Sequence, residues 1–273
     1  MKIFYKTAIA FIIAALPATV LAGGWPVKKG NYLVSVTASY FRASQLWDKG
    51  GRLGSYEQGG YFESRSLSLY GEYGITRRLT GVVSLPYIIN EFKRQDMPAA
   101  TSQGLGDMEF GVRYYLTNIN FKYYFAIQGM AIAPLYSDTS LGFSSGGAEV
   151  RAIGSGSGKI GSKNYYMNLE VGGRQYFQNA GPFQVRYTGA FGLNFDKHNQ
   201  LALGVSGNYS TSINKILDEN LVLNKDFSYT QGSFSYAYIV NPKLSFFAGV
   251  NQFLVGRSTG KGTTFSLSVI TKF

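Results

Sequence analysis

The sequence predicts an all-β chain, a transmembrane antiparallel up-and-down β-barrel of about twelve strands. Three observations predict it. Apolar and polar residues alternate with a period of two along most of the chain, as in strands with two unlike faces. Only 15% of residues are charged, while glycine (34), tyrosine (21) and phenylalanine (20) abound; a soluble domain carries about a quarter charged residues. The stretch FSLSVITKF (265–273) is itself an alternating strand that closes on a bare phenylalanine. A soluble β-sandwich also alternates, but its solvent face should carry Lys, Glu and Thr. Here one face of each strand is apolar with aromatic ends, and the other carries Ser, Asn, Gln and paired charges.

The chain opens with MKIFYKTAIAFIIAALPATVLA, in which Lys2 and Lys6 precede an apolar run from Ala8 to Leu16 and a small-residue end at Ala22. This is the pattern of a secretory signal peptide (1–22) cleaved after Ala22. The apolar run is well short of the roughly 20 residues of a spanning helix. The formal charge of +11 falls to +9 without Lys2 and Lys6. Basic residues are scattered, with no run longer than two, which argues against nucleic acid as a partner and for attraction to anionic lipid headgroups. With no cysteine, disulfides, thiol catalysis and cysteine metal sites are excluded.

Residues 23–273 then read as the barrel domain, with 23–29 (GGWPVKK) as an N-terminal periplasmic tail or a plug. The first strand, around Tyr32 to Tyr40, sets Tyr32, Val34, Val36, Ala38 and Tyr40 on the lipid face and Ser35, Thr37 and Ser39 on the other. In ESRSLSLYGEYGI, Leu67, Leu69 and Tyr73 face out, and Ser66, Ser68 and Glu72 face in. A turn at Thr76 to Arg78 leads to Val83, Leu85 and Tyr87. In GLGDMEFGVRYYL every charge (Asp107, Glu109, Arg113) falls on one face. Phe121, Tyr123, Phe125 and Ile127 oppose Lys122, Tyr124 and Gln128. Met167, Leu169 and Val171 oppose Asn168, Glu170 and Arg174, and Val185 and Tyr187 oppose Gln184 and Arg186. Strands at 201–209, 234–240, 244–250 and 265–273 follow. That makes eleven clear strands. Because both termini of bacterial single-chain barrels lie on one side, the count should be even. A weak twelfth is therefore placed at GAEVRAI (147–153), followed by a glycine-rich turn, GSGSGKIGS. Short periplasmic turns are expected at 76–78, 117–120, 196–199 and 241–243, and longer outer loops near 44–60, 92–104, 136–146, 212–225 and 255–261.

Inward parity makes Glu72, Asp107, Glu109, Arg113, Lys122, Gln128, Glu170, Arg174 and Arg186 lumen-lining candidates. Asp107 and Glu109 could serve as an acid-base pair, but mutual neutralisation with lumen arginines is the simpler account, because buried charges need partners. Serine catalysis wants a histidine base, and His198 lies in a short turn, FDKHNQ. GSGSGKIGSK lacks the Gly-Lys-Ser/Thr ending of a phosphate loop, since Ile160 follows Lys159. One histidine and no calcium-loop spacing leave no metal site and no cofactor. No catalytic residue is assigned, and an enzyme is not expected.

YGEYGITRRLTGVVSLPY (70–87), GLGDMEFGVRYYL (104–116) and 240–273 resemble the outer-membrane transporter family associated with phenol-degradation pathways, including its Leu-Pro-Tyr strand end and Gly-Leu-Gly-Asp strand start. These segments cover about a quarter of residues 23–273. The resemblance implies a porin-like channel in the Gram-negative outer membrane for small hydrophobic or aromatic molecules, and it supplies no motif for a substrate site. The alternative is a non-transport barrel acting through its outer loops in adhesion, biofilm or envelope organisation. FSLSVITKF is similar to the C-terminal signal strand read by the barrel-assembly machinery, with Phe265, Leu267, Val269 and Phe273 as its residues. Outer-membrane lipid, that machinery during biogenesis and a small solute are the expected partners, and a monomer the expected state.

Overall fold

The computed structural model describes residues 23–138, 140–213 and 224–273; the expected signal peptide at 1–22 lies outside the described residues. The strands are β1 (Tyr32–Trp47), β2 (Leu53–Ser55), β3 (Tyr61–Gly74), β4 (Leu79–Arg94), β5 (Met97–Leu105), β6 (Asp107–Ile119), β7 (Tyr123–Pro134), β8 (Gly147–Ile160), β9 (Lys163–Tyr176), β10 (Phe183–Asn194), β11 (Asn199–Thr211), β12 (Phe227–Asn241), β13 (Leu244–Arg257) and β14 (Thr259–Lys272). Twelve form a closed antiparallel ring in sequence order; β2 is a short side strand on β1, and β5 continues β6 along the same edge of β4 past a break at Gly106. The ring closes where β14 pairs with β1, from Leu33 opposite Lys272 to Trp47 opposite Thr259. Phe273 takes part in the seam: its N–H donates to Tyr32 O (2.9 Å), and Tyr32 N–H donates to Phe273 O (3.0 Å).

Burial is inverted relative to a soluble domain. Large apolar residues such as Leu67, Leu69, Val112, Leu203 and Leu267 are exposed on the outer face. Glu72, Thr80, Gln128, Glu149, Gln200 and Ser245 are buried on the inner one. A closed barrel also leaves no strand edge unpaired, the condition for a sheet to exist in lipid.

Three expectations are corrected. The twelfth strand is not weak: β8 runs through GSGSGKI to Ile160, and the turn is at Gly161 (φ 61°). Its glycines make room for rings. A Cβ on Gly156 would lie 2.8 Å from the Tyr123 ring and one on Gly158 2.8 Å from the Tyr165 ring, so tyrosines on β7 and β9 cover this part of β8. The stretch 255–261 is no long loop, because β13 and β14 meet at Ser258 (φ 50°) and each continues on its other neighbour. Much of 92–104 is the β4–β5 hairpin.

Residue 23, the C-terminus and the turns after β3, β6, β8, β10 and β12 share one end of the barrel; among the described residues the longer connections, with the tight β4–β5 and β13–β14 turns, share the other. Residues 23–31 fold back into the turn end. Gly24 N–H donates to the inward-facing Ser155 Oγ (2.6 Å), and Trp25 packs on Tyr124 with ring centroids 6.4 Å apart. Gly74 is required here, since a Cβ would meet Lys28 O at 2.2 Å.

Candidate functional site

The inner wall carries two polar clusters and one aromatic arc. Nearer the turn end, Arg113 on β6 reaches across β4 to β3: it donates to Glu72 Oε1 (2.9 Å) and Tyr70 OH (3.1 Å), and from Nε to Gln128 Oε1 on β7 (3.0 Å). Tyr70 OH in turn donates to Glu72. Glu72 and Arg113 are both buried and pair with each other, so removing either would leave a buried charge without its partner.

In the loop-end half, a larger cluster is centred on Glu149 of β8, only 1% exposed. Arg174 Nε (2.7 Å), Arg186 Nη1 (3.0 Å) and Arg151 all donate to its carboxylate. Arg174 also bridges to Glu109 on β6 (2.5 Å), three strands away around the ring, and to Tyr176 OH (3.3 Å). Tyr176 and Tyr136 both donate to Asp107. Arg151 pairs with Glu170 (2.8 Å), which accepts from Asn168; Asn168 accepts from Ser155, the residue that holds Gly24. A continuous chain of hydrogen bonds thus links the charged wall to the N-terminal segment.

Opposite this wall, inward positions near the loop end are aromatic. Phe62 (β3) contacts Phe41 (β1) at 6.0 Å, and Phe41 contacts Phe253 (β13) at 5.4 Å. Phe253 stacks on Tyr229 (β12) at 4.5 Å, and Tyr229 on Phe227 at 6.2 Å. Phe227 packs in turn on Ile132, Phe143 and Tyr176. Gly262 leaves the space that the Phe41 ring needs, for a Cβ there would lie 2.3 Å from it. The two walls meet at a polar cavity of about 150 Å³ lined by Arg151, Glu170, Arg186, Ser206, Tyr229 and Gln231.

Sequence parity thus brings Asp107, Glu109, Glu170, Arg174 and Arg186 into one cluster and Glu72, Arg113 and Gln128 into the other. Lys122 joins neither. It sits exposed in the β6–β7 turn, because Asn120 and Phe121 take positive φ and β7 begins only at Tyr123. Glu149 and Arg151 were missed, although their two-residue spacing in GAEVRAI repeats that of Asp107 and Glu109. The aromatic arc was missed too; its signal was that the polar face Ser35, Thr37, Ser39 ends in Phe41. His198 is held in its turn, Nδ1 lying 2.7 Å from Ile239 O and the ring stacked on Tyr238. Among the described residues no group of His, Asp and Glu could hold a metal ion. Phe265, Leu267, Val269 and Phe273 all lie exposed on the outer face of the β1–β14 seam, and Phe273 stacks on Tyr32 at 4.7 Å.

Superposition on solved proteins decides the architecture. A crystal structure of an outer membrane channel from Pseudomonas putida F1 matches over 93% of this chain and 100% of that one, with a TM-score of 0.69 at 13% identity. The chain has the fold of an outer membrane channel. A structure of the NanC porin matches over 88% of this chain and 100% of that one, with a TM-score of 0.52 at 9% identity. At such identities the likeness is one of fold. No protein-family profile and no curated protein matches the sequence.

Proposed function

We propose that this chain is an outer-membrane channel that passes small molecules with an aromatic or hydrophobic body between its charged and aromatic walls. The observation that carries the reading is Tyr229, which stacks in the aromatic arc and also lines the cavity beside Arg151 and Arg186. A ring can slide along Phe253 and Tyr229 by offset stacking, while a phenolic or carboxylate oxygen meets a guanidinium. Several weak sites in series suit conduction better than one tight site. The fold likeness to an outer membrane channel and the resemblance to the family tied to phenol-degradation pathways support the same reading.

On this reading the loops face outward, residues 1–22 direct export, and 23–31 act as a plug at the periplasmic end, tied to the charged wall through Ser155. The barrel works as a monomer, and β14 is the strand presented to the assembly machinery. Deleting Phe273, which removes one seam rung, should reduce the heat-modifiable, membrane-inserted form; unchanged insertion would contradict that role.

Reconstitution in planar bilayers and liposomes tests the channel directly, with conductance and solute-dependent swelling as the expected results. One observation favours a second reading, a closed barrel acting through its loops: the ion pairs from Arg174 and Arg186 to Glu109 cut across one side of the lumen, from β9 and β10 to β6, three and four strands away. Absence of both conductance and swelling would favour it.

A further inference from the structure

The outer face of β1, β3 and β4 changes character abruptly along the barrel axis. Cross-strand register places Ala38, Leu67 and Tyr87 in one rung, Tyr40, Arg65 and Ile89 in the next, then Arg42, Glu63 and Glu91, then Tyr61 beside Lys93. Arg42 is ten residues from Tyr32 along β1. At about 3.3 Å per residue and a tilt of 35–45°, that is about 25 Å above the turn end, the height of the apolar band. The charged rungs therefore sit at headgroup level on the loop-end side.

The cluster is built to show cations. Glu63 Oε1 accepts from Tyr40 OH (2.7 Å) and Arg42 Nη1 (2.9 Å), its Oε2 lies 3.6 Å from Arg65, and Glu91 lies 2.5 Å from Lys93 Nζ. The guanidinium of Arg42 and the ammonium of Lys93 both lie over the Tyr61 ring, at 4.3 and 5.8 Å. The carboxylate side chains are 10% and 20% exposed, whereas Arg42, Arg65 and Lys93 are 53%, 60% and 44% exposed. Two carboxylates lie beneath and fix the positions of three outward cations. Directly below, an apolar groove of about 700 Å³ runs across the β1–β14 seam over Ala38, walled by Leu67, Tyr87, Phe265 and Leu267.

We infer that this face is a docking site for one lipid of the loop-end leaflet whose phosphate gives the headgroup a net negative charge, with no cationic group to balance it, its phosphate on Arg65, Arg42 and Lys93 and one acyl chain in the groove over Ala38. The complementarity is twofold: cations stand at headgroup height, and a groove continuous with them opens toward the midplane. The inference is independent of what passes through the lumen. A lipid seated there would also brace the seam at which the barrel closes, since the groove is walled by both β1 neighbours.

Native mass spectrometry of the detergent-solubilised barrel tests it, with lipid A, phosphatidylcholine and inorganic phosphate as separate probes. Heat-modifiable migration confirms that each variant is folded. Lipid A should be retained well above phosphatidylcholine, and inorganic phosphate should not displace it. Arg65→Gln should weaken retention about fivefold, and the triple change of Arg42, Arg65 and Lys93 to Gln on the order of a hundredfold. Ala38→Trp, which fills the groove and leaves every charge in place, should weaken it as well, while Arg77→Gln at the turn end should not. Equal retention of lipid A by the folded triple variant and the parent would overturn the proposal. So would equal retention of phosphatidylcholine, or displacement by inorganic phosphate, which would make this a site for the free anion.

Discussion

The charged wall on β6–β10 and the aromatic arc on β12, β13, β1 and β3 face each other at the same height, yet they are held by opposite physics. On the charged wall each group is fixed by several partners, so that loss of one strands the rest in a poorly solvated place. On the arc each ring touches one or two others, and the loss of one leaves a gap and no orphaned charge. One wall specifies geometry and the other offers surface, and a solute that slides needs the second more than the first.

Breaking the charged wall should have the largest effect. Glu149→Ala leaves Arg174, Arg186 and Arg151 without their shared carboxylate, and removing one partner of a buried ion pair costs about 3–5 kcal/mol. The refolded barrel should show a clearly lower urea midpoint in a heat-modifiability titration; a midpoint equal to the parent's would mean the arginines relax toward water. Breaking the arc should leave that midpoint much closer to the parent's and act on transport. Phe253→Ala removes the 4.5 Å stack on Tyr229, worth about 0.5–1.5 kcal/mol, and should weaken the interaction with an aromatic solute about two- to tenfold. Arg186→Gln acts on the boundary. Its side chain is 36% exposed while Arg174 is 5% exposed, so the change should alter ion selectivity, read as a shifted reversal potential, with little loss of stability. Tyr229→Phe should do least, because the stack survives and only the hydroxyl is lost; a change in aromatic permeation as large as that of Phe253→Ala would put the hydroxyl, rather than the ring, at the centre of the site.

Much of this was legible in the sequence where side-chain parity decides the matter. Eleven of the ring's twelve strands and the inward set of Asp107, Glu109, Arg113 and Glu170 follow from period-two alternation; the twelfth follows from the even count that termini on one side require. What parity cannot carry is which strand a charge reaches. Arg174 finds Glu109 from 65 residues away, and only barrel closure sets that distance. The segment 154–160 was illegible for a different reason. Its glycines resemble turn residues, but they pair with β9 as far as Ile160 and leave room for the Tyr123 and Tyr165 rings, partners that lie on other strands. Phe41, Phe62 and Phe253 escaped because the expectation of a polar interior treats an inward phenylalanine as an exception, when here the exceptions line up.

The central claim, that the lumen recognises aromatic solutes by its arc, is tested most directly in a planar bilayer by current blockage with benzoate and with cyclohexanecarboxylate, two acids of like size and charge. The parent channel should be blocked at lower concentrations of benzoate, and the Phe253→Ala, Tyr229→Ala double variant should treat the two acids alike. Equal blockage of the parent by both acids, or a preference for benzoate that survives in the double variant, would contradict it.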